Sequence, residues 1–139
     1  MSYEEKGQWV YLVVFLGTYG AYLGVILGRA DGIALIEVSY VAPMLWSIAI
    51  AIVLSIIGRI AVEFAKPSET YQTDARDKDI NRFGEYVSGI ALAVGMVLPF
   101  GLTLAGADRF WIANAMYTAF VLSALLSTAM KAVAYRQGL

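Results

Sequence analysis

Several ionisable side chains lie at the ends of long apolar stretches in this sequence. Arg59 and Glu63 are four residues apart, so on a helix they share one face and are able to form an ion pair. Lys131 has a similar place near the C-terminus, and Glu85 precedes the third apolar stretch. Charged groups in such positions often bind a ligand or partner, or carry protons, inside a membrane. We take all four as candidate ligand- or partner-binding residues; the alternative is a solvated rim that anchors helix ends.

The composition limits the chemistry that these residues are able to perform. The chain has no cysteine and no histidine, which excludes disulfides, Cys/His zinc sites, imidazole bases and thiolate nucleophiles. A lipid-modifying enzyme would have to use Glu63 or Glu85 with Tyr86 as acid and base. We therefore expect a non-enzymatic protein without a cofactor. The net charge of −1 gives no electrostatic reason to expect nucleic acid as a partner.

The apolar stretches are long enough to cross a membrane. Hydrophobic residues make up 60% of the 139 residues and charged residues 15%, against roughly 45–50% and about 25% in soluble domains. Four charge-free windows of 21 or 22 residues lie between Lys6 and Arg29, Glu37 and Arg59, Glu85 and Asp108, and Arg109 and Lys131. About 20 helical residues span the ~30 Å hydrocarbon core. The pattern predicts an all-α integral membrane protein, a single domain over residues 1–139, with four transmembrane helices in a bundle at about 8–28, 43–65, 84–106 and 110–135.

The distribution of Lys and Arg predicts the orientation of the chain. Eight of the ten lie in the N-terminal segment, the second span's end, the 66–83 loop and the C-terminal segment, and the other two are Arg29 and Arg109. This bias predicts a multi-pass protein of the cell (inner) membrane with both termini and the 66–83 loop in the cytoplasm. Glu4 and Glu5 are unlike the basic start of a signal peptide, so we expect the first window to remain as a span.

A weak internal repeat relates the two halves of the chain. At an offset of 72, Ser47, Ala51, Ser55, Arg59 and Glu63 align with Ala119, Ser123, Ser127, Lys131 and Tyr135. Residues 7–10 (Gly-Gln-Trp-Val) also resemble residues 84–87 (Gly-Glu-Tyr-Val). The similarity is compatible with two tandem helical hairpins of the same orientation, and equally with chance among helices that are rich in small residues.

Other residues predict how the helices pack. Glycines at every fourth position, Gly20, Gly24 and Gly28, allow close backbone approach, and we expect them to pack within the chain rather than between copies. Pro99 lies midway along the third span and predicts a kink, with Thr103 one turn on to satisfy a freed carbonyl. Asn114, a further candidate ligand- or partner-binding residue, lies one turn from Tyr117 on the fourth span. We expect it to hydrogen-bond a neighbouring helix, and the alternative is a ligand contact.

The long polar stretch over residues 66–85 carries further candidate partner-binding residues, Asp74, Arg76 and Asp77. Acidic residues early in a helix and the apolar edge that begins at Ile80 predict a cytoplasmic amphipathic helix leading into the third span. Basic residues alternate with the aspartates, which disfavours a metal site. The stretch is expected to be a docking surface for a cytoplasmic or membrane protein partner, or a plain solvated connector.

The same stretch resembles a known type of protein. The run Asp74-Ala75-Arg76-Asp77, followed by Ile80 and Arg82, is similar to the Asp-Glu-Arg loop motif of small four-span prokaryotic membrane proteins of unknown function. The N-terminal residues 1–6 and residues 110–115 also resemble uncharacterised actinobacterial members of this kind. Ala75 departs from the acid of that motif. The resemblance implies four spans and supplies no activity.

Two functions follow from these observations. The first is a small membrane protein that binds a partner protein or membrane lipid through its cytoplasmic loop. The second is a transporter or channel formed by a homo-oligomer, using the kinked third span and the cluster of Arg59, Glu63 and Lys131. Small multidrug transporters have a glutamate midway along the first span, where this chain has Thr18 and Tyr19, and this difference disfavours transport by their mechanism.

Overall fold

The computed structural model describes residues 3–65, 67 and 75–137, and within them the chain is helical apart from short turns. The helices are α1 (Tyr3–Arg29), a 3-10 turn (Leu35–Glu37), α2 (Val41–Ala65), α3 (Ala75–Gly95), α4 (Val97–Leu104) and α5 (Arg109–Gln137). Across these residues α1, α2, the α3–α4 pair and α5 are long and apolar enough to cross a membrane. The fold is an all-α four-helix bundle, which confirms the predicted class and fits a multi-pass membrane protein.

The helices form two hairpins that are joined through α1 and α5. In the first hairpin α2 packs against α1, and in the second α3 packs against α5. Helix α1 also packs against α5, so the order across the bundle is α2, α1, α5, α3. Within the described ranges α2 and α3 have no comparable contact with each other. We call the end where α1 and α3 begin and α2 and α5 finish the basic end.

The third apolar segment is interrupted, as the proline predicts. Helix α3 stops at Gly95 and α4 starts at Val97. Pro99 has no N–H to donate to the carbonyl of Gly95, which removes one helical hydrogen bond at the break. The Thr103 hydroxyl donates to the Pro99 carbonyl at 2.8 Å and so does not satisfy the carbonyl that the proline frees. The Pro99 side chain is fully buried, which fixes the break inside the bundle.

The beginning of α3 is amphipathic and continuous with the apolar part of the helix. The predicted loop over residues 66–83 is therefore helical from Ala75 onward. Asp77, Ile80 and Gly84 are buried on one face, and Ile80 forms a small core with Ala134 and Tyr135 of α5. Phe83, which the sequence pattern places on the apolar edge, is 43% exposed. The buried face of α3 therefore contains Asp77, and Phe83 lies outside it.

Among the described residues, no other helix packs against the glycine stripe of α1. A methyl group placed on Gly20, Gly24 or Gly28 would meet no atom within 4 Å among the described residues. The expectation of packing inside the chain is therefore wrong. Helix α1 instead uses the face of Tyr22 and Ile26 for its core contacts, which leaves the glycine face outside the bundle.

The two hairpins use equivalent contacts at the basic end. The Arg59 guanidinium packs on Gly7, where an added methyl group would lie 2.9 Å from its central carbon. The Lys131 side chain packs on Gly84, where an added methyl group would lie 2.7 Å from its Cγ. In the sequence alignment Gly7 matches Gly84 and Arg59 matches Lys131. In both hairpins, a cationic side chain of the second helix thus packs against a glycine of the first helix.

A second pair of equivalent contacts lies farther along the hairpins. The Ser47 hydroxyl donates to the Thr18 carbonyl at 3.2 Å. At the matching positions, a methyl group on Gly95 would lie 3.1 Å from the Cβ of Ala119. The same offsets, 77 for the first helices and 72 for the second, relate both pairs of contacts. The two hairpins therefore have the same register, as the tandem-repeat interpretation requires.

The close contact at Gly84 gives a prediction about stability. Gly84→Ala should destabilise the bundle, because the added methyl group overlaps Lys131; overpacking of this kind costs about 1–3 kcal/mol. The matched control is Gly89→Ala on the same helix, where the methyl group meets nothing within 4 Å among the described residues. Unfolding of both variants in the same detergent compares the two sites. Equal stability would contradict the packing of Lys131 on Gly84.

Candidate functional site

Arg59 is held by aromatic residues of α1 at the basic end. Its guanidinium carbon lies 4.0 Å from the centroid of the Tyr3 ring, and its Nη1 donates to the Tyr11 hydroxyl at 2.8 Å. Nη2 donates to the Tyr3 carbonyl at 3.4 Å. Its Nε is buried and has no hydrogen-bond partner among the described residues. The faces of the tyrosine rings therefore contribute much of the stabilisation of this cation.

Glu63 forms its ion pair with Lys6 of α1 rather than with Arg59. The Lys6 Nζ lies 3.2 Å from the Glu63 Oε1, and the two side chains are only 7% and 18% exposed. Arg59 and Glu63 do share one face of α2, but over the described residues no ion pair joins them. The predicted pair is wrong because α1 packs on that face and supplies a closer partner for each group.

The second hairpin has its own set of polar contacts between α3 and α5. Lys131 pairs with Glu85 at 3.2 Å, and the Glu85 side chain is 75% exposed. The Tyr135 hydroxyl donates to the Asp77 Oδ1 at 2.5 Å in a buried position. Arg76 donates to the carbonyls of Ala134 and Tyr135 at 3.2 and 2.8 Å, near the end of α5. These contacts give Arg76 and Asp77 a role in joining the helices.

One further ion pair connects the two hairpins at the basic end. The Arg136 Nε of α5 lies 3.3 Å from the Glu5 Oε1 of α1, and the Arg136 guanidinium lies 5.9 Å from the centroid of the Trp9 ring. Glu5 and Arg136 were not among the residues that the sequence predicted to contact another helix. The sequence shows only that both residues lie outside the charge-free windows. That position does not indicate that α1 and α5 are neighbours.

The structure therefore divides the candidate binding residues at the basic end into two groups. Arg59 and Glu63 lie in the first hairpin, and Arg76, Asp77, Glu85 and Lys131 lie in the second. Asp74 lies outside the described residues. Asn114 belongs to a separate group farther from the basic end, which is described next.

A network of hydroxyl groups joins α1, α2 and α5 near the middle of the apolar helices. Asn114 accepts a hydrogen bond from the Tyr22 hydroxyl, which agrees with the predicted contact to a neighbouring helix. Tyr19 and Thr118 share a hydrogen bond of 2.6 Å, and Ser47 and Tyr117 share one of 2.7 Å. The rings of Tyr19, Tyr22 and Tyr117 also contact one another.

The tyrosines of this network were missed as a group by the sequence analysis. Tyr19 and Tyr22 are three residues apart, so they lie on one face of α1, and that spacing was the available signal. The third ring, Tyr117, comes from α5. Only the packing of α1 on α5 brings it to the other two.

A groove of about 640 Å³ runs along the first hairpin, and Tyr22 and Ser47 of the hydroxyl network are among the residues that line it. We call it the α1/α2 groove, and its walls are mainly Val13, Gly17, Ala21, Trp46, Ile50 and Leu54. Arg29 lines the groove at the end opposite the basic end, and its Nη1 donates to the Ser39 carbonyl at 3.1 Å. The groove is thus apolar along its length with a cation at one end.

Comparisons with protein-family models, with curated proteins and with solved structures give no match. The resemblance to small four-span prokaryotic membrane proteins therefore stays a prediction. The function has to be inferred from the contacts within the chain itself.

The contacts suggest different roles for the two ends of the molecule. At the basic end Arg59, Glu63, Asp77 and Lys131 each bind another helix, so these charges hold the helices together. A smaller groove of about 320 Å³ at the basic end is lined by Tyr3, Arg59 and Glu63. The α1/α2 groove is larger, and it ends at Arg29, away from these contacts.

The pairing of Lys6 with Glu63 predicts strong energetic coupling between these two residues. In a double-mutant cycle, Lys6→Met and Glu63→Gln should be non-additive by about 0.5–3 kcal/mol, because either change alone already removes the ion pair between them. The measurement is unfolding in detergent of both single variants and the double variant.

A parallel cycle with Arg59→Met and Glu63→Gln provides the control. These residues lie on the same helix face but contact different groups of α1, so their coupling should be smaller. Stronger coupling of Glu63 to Arg59 than to Lys6 would contradict the arrangement of the first hairpin.

Proposed function

We propose that this chain is a non-enzymatic membrane protein that binds a membrane phospholipid in the α1/α2 groove. The acyl chain would lie in the apolar groove, and the phosphate would contact Arg29. The observation that carries the proposal is the combination of this groove with a cation at its end. The lysines and arginines at the other end favour a cell inner membrane with both termini in the cytoplasm.

The length of the groove suits an acyl chain. It runs along α1 from Val13 to Arg29, a rise of roughly 24 Å at 1.5 Å per residue. One leaflet contributes about half of the ~30 Å hydrocarbon core, roughly 15 Å, so the groove is longer than an acyl chain of one leaflet requires. The small residues Gly17 and Ala21 form the floor, and the larger Trp46, Ile50 and Leu54 form a wall. A chain lying between them would contact protein atoms along one side of its length.

The position of Arg29 suits a phosphate group. It follows the first charge-free window directly, at the depth where lipid headgroups meet the hydrocarbon. A guanidinium has five N–H donors and binds phosphate through two parallel hydrogen bonds. The bond of Nη1 to the Ser39 carbonyl uses one donor and holds the side chain in place. The remaining donors support binding of an anionic lipid in preference to one without net charge.

Native mass spectrometry of the full chain in a mild detergent tests this proposal. We expect the unchanged protein to retain phosphatidylglycerol more strongly than phosphatidylcholine. Arg29→Gln should reduce that preference, because it removes the charge that contacts the phosphate. Gly17→Leu should reduce retention of both lipids, because the new side chain fills the groove.

Each variant has a matched control. Arg109→Gln removes the other cation that borders the charge-free windows on the same side. Gly20→Leu adds the same side chain to α1 three residues away, at a position that does not line the groove and where an added methyl group meets nothing within 4 Å among the described residues. Both controls should bind lipid like the unchanged protein. Equal losses in test and control variants would overturn the proposal.

The hydroxyl network favours one second candidate, a transporter or channel formed by several copies. Tyr19, Ser47 and Tyr117 place polar groups near the middle of the apolar helices, where a polar solute would need partners. Reconstitution into liposomes tests this candidate by measuring release of small polar solutes. Flux that Tyr117→Phe reduces would favour it, and absence of flux would leave lipid binding as the better account.

A further inference from the structure

The two hairpins contact each other through different helices, and we call this contact the joint. The first helix of the first hairpin, α1, packs against the second helix of the second hairpin, α5. At the basic end this joint contains the Glu5–Arg136 ion pair and the Arg136–Trp9 contact. Farther along it contains the contacts of Tyr19 and Tyr22 with Tyr117. The joint therefore uses a different surface from each hairpin.

Each of these two surfaces has an equivalent on the other hairpin. Helix α3 corresponds to α1 at an offset of 77, and α2 corresponds to α5 at an offset of 72, as the shared contacts of the hairpins require. Within the described residues α2 and α3 lie at opposite ends of the helix order and have no comparable contact with each other. Within the described residues, one chain therefore uses one joint. The equivalents of its contacts at the basic end are exposed on α2 and α3, whereas Pro99, which corresponds to Tyr22, is buried within the chain.

We propose that α3 of one copy packs against α2 of a second copy, in the same way that α1 packs against α5 within the chain. The partner is thus a second copy of this chain, bound head to tail. Because the two surfaces are different, the contact is heterologous, and repeated copies form a closed ring or an open row in the membrane.

The exposed residues at the equivalent positions support this arrangement. Trp9 corresponds to Tyr86, and Arg136 corresponds to Phe64; Tyr86 is 68% exposed and Phe64 is 86% exposed. Glu5 corresponds to Arg82, which is exposed on α3. Inside the chain, α5 supplies the cation and α1 the aromatic ring. Between copies, Arg82 of α3 would supply the cation and Phe64 of α2 the ring, so a cation–aromatic contact is available again.

The apolar part of the surface fits the same partner. Tyr117, which faces α1 from α5, corresponds to Leu45 on α2, and Leu45 is 62% exposed. Helices in lipid gain little from the hydrophobic effect when they associate, so they need close packing and polar contacts. Arg82 and Tyr86 supply polar contacts at the basic end of α3, and Leu45 gives an apolar contact farther along α2.

Cysteine cross-linking tests the proposal directly, because the chain contains no cysteine of its own. Phe64→Cys and Tyr86→Cys are made as separate full-length variants with different tags and are expressed together in one membrane. After oxidation in the membrane, we expect a dimer that carries both tags. A link between two different variants must join two copies, so contacts within one chain are not counted.

The controls distinguish this arrangement from others. Each variant expressed alone should give little dimer, because a head-to-tail contact does not place either position near itself. Val62→Cys paired with Tyr86→Cys should also give little, since Val62 is two residues from Phe64 and points about 200° round the helix. The double variant Phe64→Cys/Tyr86→Cys should form dimers and larger species.

Two results would overturn the proposal. One is the absence of a mixed dimer when Phe64→Cys and Tyr86→Cys are expressed together, with both variants unfolding at the temperature of the unchanged protein. The other is efficient cross-linking of either variant alone, which would indicate a two-fold contact. Lipid binding in the α1/α2 groove is measured separately and does not depend on either result.

Discussion

The packing of a charged side chain across a glycine organises the basic end of this protein. Cations near apolar surroundings are costly unless they reach water or a partner, and helices there associate by close backbone contact. Arg59 over Gly7 and Lys131 over Gly84 meet both requirements, because the missing side chain makes room for the cation. The partners of these cations, Tyr11 and Glu85, then come from the same helices as the glycines.

This use of the charges determines where a ligand has space to bind. The basic end is occupied by contacts between helices, which include the Lys6–Glu63 pair and the Tyr135–Asp77 hydrogen bond. The α1/α2 groove is lined mainly by apolar side chains and has Arg29 at its far end. The proposed lipid binding would use this groove and leave the ion pairs of the basic end intact.

The sequence predicted the helices well because charge-free windows of sufficient length are a one-dimensional signal. The small residues of the internal repeat carried a further signal: Ser47, Ser55, Ser123 and Ser127 are all buried, and their spacing in multiples of four places each pair on one side of its helix. The partner of Arg59 was not predictable in this way. Spacing along one helix shows which residues share a face, and it does not show which helix covers that face.

The same limit explains the other differences between the sequence-based predictions and the structure. The glycines at 20, 24 and 28 are suited to close packing, but α1 turns its tyrosine face to α5 and leaves the glycines outside. From the sequence, Asp77 was expected to lie in a polar loop. In the structure α3 begins at Ala75, and this places Asp77 beside Tyr135. Neighbouring helices are fixed by three-dimensional packing, and the internal repeat was the part of the sequence that carried information about it.

The central claim is that the two hairpins have the same register, and paired cysteines measure this most directly. Thr18→Cys/Ser47→Cys tests the first hairpin, and Gly95→Cys/Ala119→Cys tests the second at the equivalent positions. A disulfide needs Cβ atoms about 3.5–4.5 Å apart, so it reports close contact of the two helices. The account predicts that both pairs oxidise within one chain. Oxidation of one pair without the other would show that the hairpins differ in register and would contradict it.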